Sequence, residues 1–195
     1  PAKKKAASGS HPGISIVRLL LVMTIAASSA SMVFNFSINS NYEMLSSRFA
    51  SISQDPARIG LFLASVYVLA SLTQLVVGHL LDRIELKRLY QSIVLLQFLA
   101  LLIASVTDGW WFLFLQFLFM AAIFGSVPFT DAMIVRYVDD AMRSRVAGMR
   151  LAIAFGASSV AVWLIGPIVK AAGFTTLLWV MAGMACITFA VISLL

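Results

Sequence analysis

The sequence predicts an all-α integral membrane protein with six transmembrane helices. Three observations carry that prediction. First, 61% of the 195 residues are hydrophobic and 11% are charged, against roughly 45–50% apolar and about 25% charged in a soluble globular domain. A soluble core of this size cannot hide the excess, so the solvent is lipid. Second, apolar runs near the ~20 residues needed to cross a ~30 Å hydrocarbon core recur along the chain, at residues 14–39, 59–81, 89–106, 110–135, 146–172 and 174–195. Third, none of these runs alternates like a barrel strand. Backbone groups in lipid must be paired within the segment, which leaves helices.

Residues 1–13 precede the first span. Lys3, Lys4 and Lys5 and a Ser-Gly-Ser-His-Pro-Gly tract make this a flexible basic linker without apolar periodicity. The run that follows is too long for a secretory signal and lacks a small-residue cleavage site. The chain opens on Pro1 and stops inside an apolar run at Leu195, so it reads as a piece of a longer protein. Only the connections 40–58 and 136–145 have any length. Thr107-Asp108-Gly109 and Gly173 are expected to be tight hairpins, with Trp110 and Trp111 as interfacial anchors.

Basic residues set the orientation. One side receives Lys3, Lys4, Lys5, Arg18, Arg83, Lys87, Arg88, Arg136, Arg143, Arg145 and Arg150, and the other only Arg48, Arg58 and Lys170. That asymmetry predicts both termini in the cytoplasm. The net charge of +6 therefore reports topology. It does not point to nucleic acid, because no basic, aromatic surface exists outside the bilayer to bind one. The one cysteine, Cys186, has no partner for an internal disulfide and no metal-ligand spacing around it, so it reads as a small packing residue. His11 and His79 lie far apart outside the spans, so neither a metal site nor a cofactor is expected.

Polarity inside the spans is patterned. In the first, Thr24, Ser28, Ser31, Asn35 and Asn39 recur at spacings of 4, 3, 4 and 4, which places them on one face. Tyr67, Ser71, Gln74 and Gly78 repeat the idea in the second. Gln116, Met120, Phe124 and Asp131 lie roughly along one stripe of the fourth, where Pro128 marks a kink. The fifth is studded with small residues, among them Ala154, Gly156 and Ser158, which suits close helix packing. Spans three and six are nearly featureless apart from Gln97. Spans one, two, four and five are thus expected inside, and three and six outside. Asparagine is costly in lipid unless it meets water, protein or a ligand, so Ser31, Asn35, Asn39, Gln74 and Gln116 are the candidate walls of a cavity.

Two charged clusters fall on the cytoplasmic side. One is Gly78-His79-Leu80-Leu81-Asp82-Arg83-Ile84-Glu85-Leu86-Lys87-Arg88. The other runs through Asp131, Arg136, Asp139, Asp140, Arg143, Arg145 and Arg150. A carboxylate is stabilised by the dipole and unpaired N–H groups at a helix start, so Asp82 is expected near the start of the fifth span. Arg136 is expected to pair with Asp82 or Asp139. Pairs of this kind form a latch of ~0–1 kcal/mol each where water reaches them.

The first cluster resembles the short cytoplasmic-loop signature of the major facilitator superfamily of secondary transporters, which reads Gly, three residues, Asp-Arg, x, Gly, then basic residues. Gly78, Asp82, Arg83, Lys87 and Arg88 match it, and Glu85 replaces the second Gly. Such a degenerate copy is more typical of the family's second half. The stretch from Asp139 to Gly148 is similar to the family's connection into the fifth or eleventh helix, and Gly166-Pro167 with Gly173 resembles the end of that helix.

The resemblance covers the chain from about Ile14 and implies helices seven to twelve, built as two inverted three-helix repeats. It implies an inner (plasma) membrane permease that moves a small solute by alternating access. The partners implied are the lipid bilayer, an N-terminal six-helix half, the solute and a coupling proton or ion. Gly78, Asp82, Arg83, Arg88, Arg136, Asp139 and Arg143 are then the candidate cytoplasmic gate. Asp131, the carboxylate nearest mid-span, is the candidate for proton coupling or a further member of the gate. The alternative is a non-transporting six-helix scaffold or receptor subunit. A membrane enzyme is disfavoured, since no nucleophile–base pair, metal cluster or phosphate loop is present.

Overall fold

A computed structural model describes residues 16–138 and 140–194 and, within them, every side chain except those of residues 16–20, 130, 136 and 137. The basic linker expected over residues 1–13 lies outside the described residues. Five helical elements follow one another: α1 (Ile16–Phe49), α2 (Pro56–Leu81), α3 (Leu86–Ala104), α4 (Gly109–Tyr137) and α5 (Asp140–Ser193). All five are long and apolar enough to cross a membrane, and no strand is present among the described residues.

The first long connection expected from the sequence is mostly helix. α1 does not stop at Asn39 but runs to Phe49. Asn41, Met44, Leu45 and Phe49 are all buried. Their spacing keeps one face against the bundle, and no Gly or Pro interrupts them. The turn then closes when the amides of Ile52 and Ser53 donate to Phe49 O. Asp55 restarts the chain as the N-cap of α2, accepting from Ala57 N at 3.0 Å with Pro56 in the first turn. The second expected connection, 136–145, shrinks likewise, because α4 runs to Tyr137 and α5 begins at Asp140.

Two glycines make bends that other residues would resist. Gly109 opens α4 at φ +62, and a Cβ there would stand 3.0 Å from Ile52 Cδ1. Gly173 has φ +74 and ψ 178, a region that is essentially glycine-only. It divides α5 into an arm of residues 140–172 and an arm of residues 174–193. A straight helix of the 54 residues in α5 would be ~81 Å long. Instead the first arm packs along α1, while the second returns beside α3, where Lys87 Nζ and Gln91 Nε2 donate to Ser193 O and Oγ at 3.1 and 3.0 Å.

α4 is the centre of the bundle and touches all four other helices. Its buried face, with Phe112, Phe119, Met120, Ile123, Phe129 and Met133, joins the two apolar clusters of the core. This departs from the expected division into inner and outer spans. α2 buries only Ile59, Val66, Ala70 and Val77 and leaves Leu61, Val68, Leu69, Leu72, Leu75 and Val76 exposed. α3 and the second arm of α5, expected to be featureless, are tied closely into the core. Cys186, expected to pack, is exposed on the second arm.

Candidate functional site

A cavity of ≈ 510 Å³ lies between α1, α4 and the first arm of α5. α1 supplies Ala27, Ala30, Ser31, Phe34 and Asn35; α4 supplies Ile123, Ser126 and Val127; α5 supplies Arg150, Leu151, Ala154, Phe155 and Ser158. The wall is mostly apolar, with polar groups gathered in two places.

The first is a hydroxyl–amide cluster where α1 meets α5. Ser31 Oγ donates to Ala154 O at 3.0 Å and lies 2.8 Å from Ser158 Oγ. Asn35 Nδ2 donates to its own helix at Ser31 O, 2.9 Å away, and across to Ser158 Oγ at 2.8 Å. Both amide hydrogens are thus engaged, while Asn35 Oδ1 has no protein partner among the described residues and is free to accept from a ligand. The small residues at 154 and 158 let the two helices approach closely enough for these bonds.

The second place is an ion pair about 12 Å further along α5, at the ~1.5 Å helical rise per residue. Arg150 Nη1 and Asp131 Oδ1 are 2.6 Å apart, with side chains 20% and 69% exposed. The other guanidinium nitrogens of Arg150, a residue of the cavity lining, have no protein partner among the described residues. Asp131, the candidate for proton coupling, is therefore the counter-ion of a cavity cation.

Of the five expected wall residues, Ser31 and Asn35 line this cavity and three do not. Asn39 is exposed and donates to Asn35 O at 2.9 Å. Gln74 sits half-buried on α2, which contributes nothing to the cavity. Gln116 is fully buried instead. Its Nε2 donates to Asn41 Oδ1 at 3.1 Å, and Asn41 Nδ2 lies 3.2 Å from Tyr67 Oη and 3.3 Å from Met120 Sδ. Gln116 shares the α4 face of Ile123 but stands two turns away, where α1, α2 and α4 close together. Depth along the helix, not the face, removes it from the cavity.

The end beyond this closure is held by Arg48. Its Nη1 pairs with Asp108 Oδ1 at 3.0 Å, and its Nη2 donates to Ser105 O at 3.1 Å and Thr175 Oγ1 at 2.7 Å. The guanidinium lies 5.8 Å from the centre of the Phe112 ring. Asp108 occupies the N-cap position of α4 but makes no side-chain cap bond; its carboxylate serves Arg48 instead. Trp110 packs edge-on against Phe49 and Phe62 around the same end, and the two Phe rings are tilted against each other, with ring centres 5.3–5.6 Å apart.

The opposite end carries the expected gate residues, and among the described residues no hydrogen bond or ion pair joins the two clusters. α2 makes no contact with α5 among the described residues. Asp82, the C-cap of α2, is exposed, stands apart from the start of α5, and has no side-chain partner among the described residues. α1 and α4 intervene between the two helices. Each cluster pairs within itself: Glu85 with Arg88 at 2.9 Å, and Asp140 with Arg143 at 2.6 Å. Arg143 also donates to Val135 O at 3.0 Å. Arg83 is exposed, and a Cβ on Gly78 would meet nothing within 4 Å. Asp139 and the Arg136 side chain lie outside the described residues.

Sequence reasoning missed Ser158, Arg150 and Asn41 as site residues. Ser158 carried a weak signal, at four residues from Ala154 on a small-residue face. Asn41 carried one in its spacing from Met44 and Leu45, obscured by the early end given to the first helix. The Asp131–Arg150 pairing joins two helices and has no local signature. Among the described residues no group of acidic residues, histidine and cysteine could hold a metal.

A search of curated proteins found no match to the chain. The model of the Major Facilitator Superfamily matches residues 15–195, which includes every described residue, and the chain belongs to that family of membrane transporters.

Proposed function

We propose that this chain is one half of a secondary active transporter, helices seven to twelve, moving a small solute by alternating access. The observation that carries this reading is the cavity between α1, α4 and α5, with a polar cluster at Ser31, Asn35 and Ser158 and a cation at Arg150. A purely structural bundle gains nothing from leaving such groups beside an open space. The two arms of α5 count as two crossings in this reading, giving six helices in two inverted three-helix repeats with both termini in the cytoplasm of an inner-membrane protein.

Toward the Arg48 end Asn41, Gln116 and Tyr67 close the helices together beyond the cavity, and at the other end the cavity reaches Arg150, which pairs with Asp131. That arrangement supports a conformation facing the cytoplasm. Asp82, Arg83 and Arg88, free of α5, are the gate elements directed to an N-terminal half. Arg143, bonded to Asp140 and to Val135 O, holds the turn between α4 and α5, and Asp139 and Arg136 remain candidate gate residues. A coupling proton or ion completes the cycle.

Cysteine labelling tests the reading. In a Cys186→Ser background, Ser31→Cys, Asn35→Cys and Ser158→Cys are expected to react with a membrane-impermeant thiol reagent applied from the cytoplasmic face, and Gln116→Cys is expected to stay unreactive. Silence at all three cavity positions would favour the scaffold alternative.

A further inference from the structure

A second, much smaller cavity lies behind the first. It has a volume of ≈ 10 Å³ and is lined by Ala30, Val33, Tyr90, Val94, Gln97, Ser126, Ala185 and Thr188. Ala30 and Ser126 face both cavities, so they form the partition between them. Four helical segments meet here: α1, α3, α4 and the second arm of α5.

Its polar groups are unusual for so deep a place. Tyr90 is 0% exposed and its hydroxyl has no protein partner among the described residues. Gln97, one of the few polar residues in the middle of α3, is 5% exposed, and its amide has no partner among the described residues. Tyr90, Val94 and Gln97 are spaced by four and three, so all three stand on one face of α3. Opposite them, Ser126 Oγ donates to Ile123 O at 2.7 Å and Thr188 Oγ1 to Met184 O at 3.0 Å. Each hydroxyl has spent its hydrogen and keeps oxygen lone pairs to offer.

A buried polar group without a partner costs free energy, and such groups in native proteins are paired with protein or with ordered water. A space of ~10–15 Å³ admits one water molecule, which needs two to four polar partners. We propose that this cavity is a binding site for a single water that accepts from Tyr90 Oη and Gln97 Nε2 and donates to Ser126 Oγ and Thr188 Oγ1. Two donors face two acceptors, which matches the hydrogen-bonding capacity of one water. The water replaces direct contacts between the helices that line the large cavity and those that back them.

The test uses the full-length protein in detergent. A structure that resolves ordered solvent is expected to show one peak within hydrogen-bond distance of the Tyr90 hydroxyl and of at least two of the other three groups. An empty cavity there overturns the proposal. Melting of Tyr90→Phe and Gln97→Leu supplies a second readout with opposite signs for the two cases. With the water present, each variant removes one of its bonds and Tm falls by about 2–4 °C. With a dry cavity, each variant removes a stranded polar group and Tm rises, which would also overturn it.

Discussion

Arg48 near the end of α1 donates to Thr175 Oγ1, two residues past the Gly173 bend, at 2.7 Å. The same guanidinium reaches Asp108 and Ser105 O, so one side chain gathers α1, the α3–α4 turn and the start of the second arm of α5. Its side chain is 15% exposed against 68% for Asp108. The ion pair with Asp108 is therefore screened, and the part-buried bond to Ser105 O and the exposed one to Thr175 Oγ1 add to what the guanidinium contributes.

That balance predicts an ordering of variants. Arg48→Ala is expected to cost about 1–3 kcal/mol, and Arg48→Lys most of that, since an ammonium cannot reach three oxygens in a fixed fork. Asp108→Ala should cost no more than ~1 kcal/mol. Thermal melts in detergent measure all three, and an Asp108 effect equal to that of Arg48 would assign the clamp to the ion pair.

Asn41 and Gln116 give a second prediction. Asn41→Leu strands Gln116 Nε2 in an apolar site where its Oε1 already lacks a partner among the described residues. The single variant is expected to lose about 1–3 kcal/mol. Asn41→Leu with Gln116→Leu should lose less than the sum of the two, because the double variant leaves neither group orphaned. Additive losses would mean the pair is not coupled.

Asp131 and Arg150 separate gating from coupling. As the counter-ion of a partly exposed pair, Asp131 is expected to influence transport modestly. Asp131→Asn should lower gradient-driven transport and solute exchange alike, by about two- to fivefold. Uptake abolished with exchange preserved would instead identify Asp131 as the proton-carrying group.

The membrane character, the all-helical class and the family were legible in the sequence, because lipid imposes its demands on composition and on run length. The polar face of the first helix was legible too, and it led directly to Ser31 and Asn35. What the sequence hid was depth and partner. A helical stripe names a face but not the level at which neighbouring helices diverge, so Gln116 and Asn39 were assigned to a cavity that ends below them. The Asp82 loop suggested a partner on the nearest charged cluster, yet a loop motif cannot report that α1 and α4 stand between α2 and α5. The buried roles of Tyr90 and Gln97 were masked by the apolar average of α3.

The bend at Gly173 also governs how this part of the chain can be handled. Residues on either side of it are helical, and its φ of +74 leaves no slack on that surface. A topology tag, a protease site or a fused domain placed there would have to pry apart two helices that separate partners already hold. The turn at residues 50–55 between α1 and α2, several residues long and largely exposed, is the place at the same end that can accept an insertion.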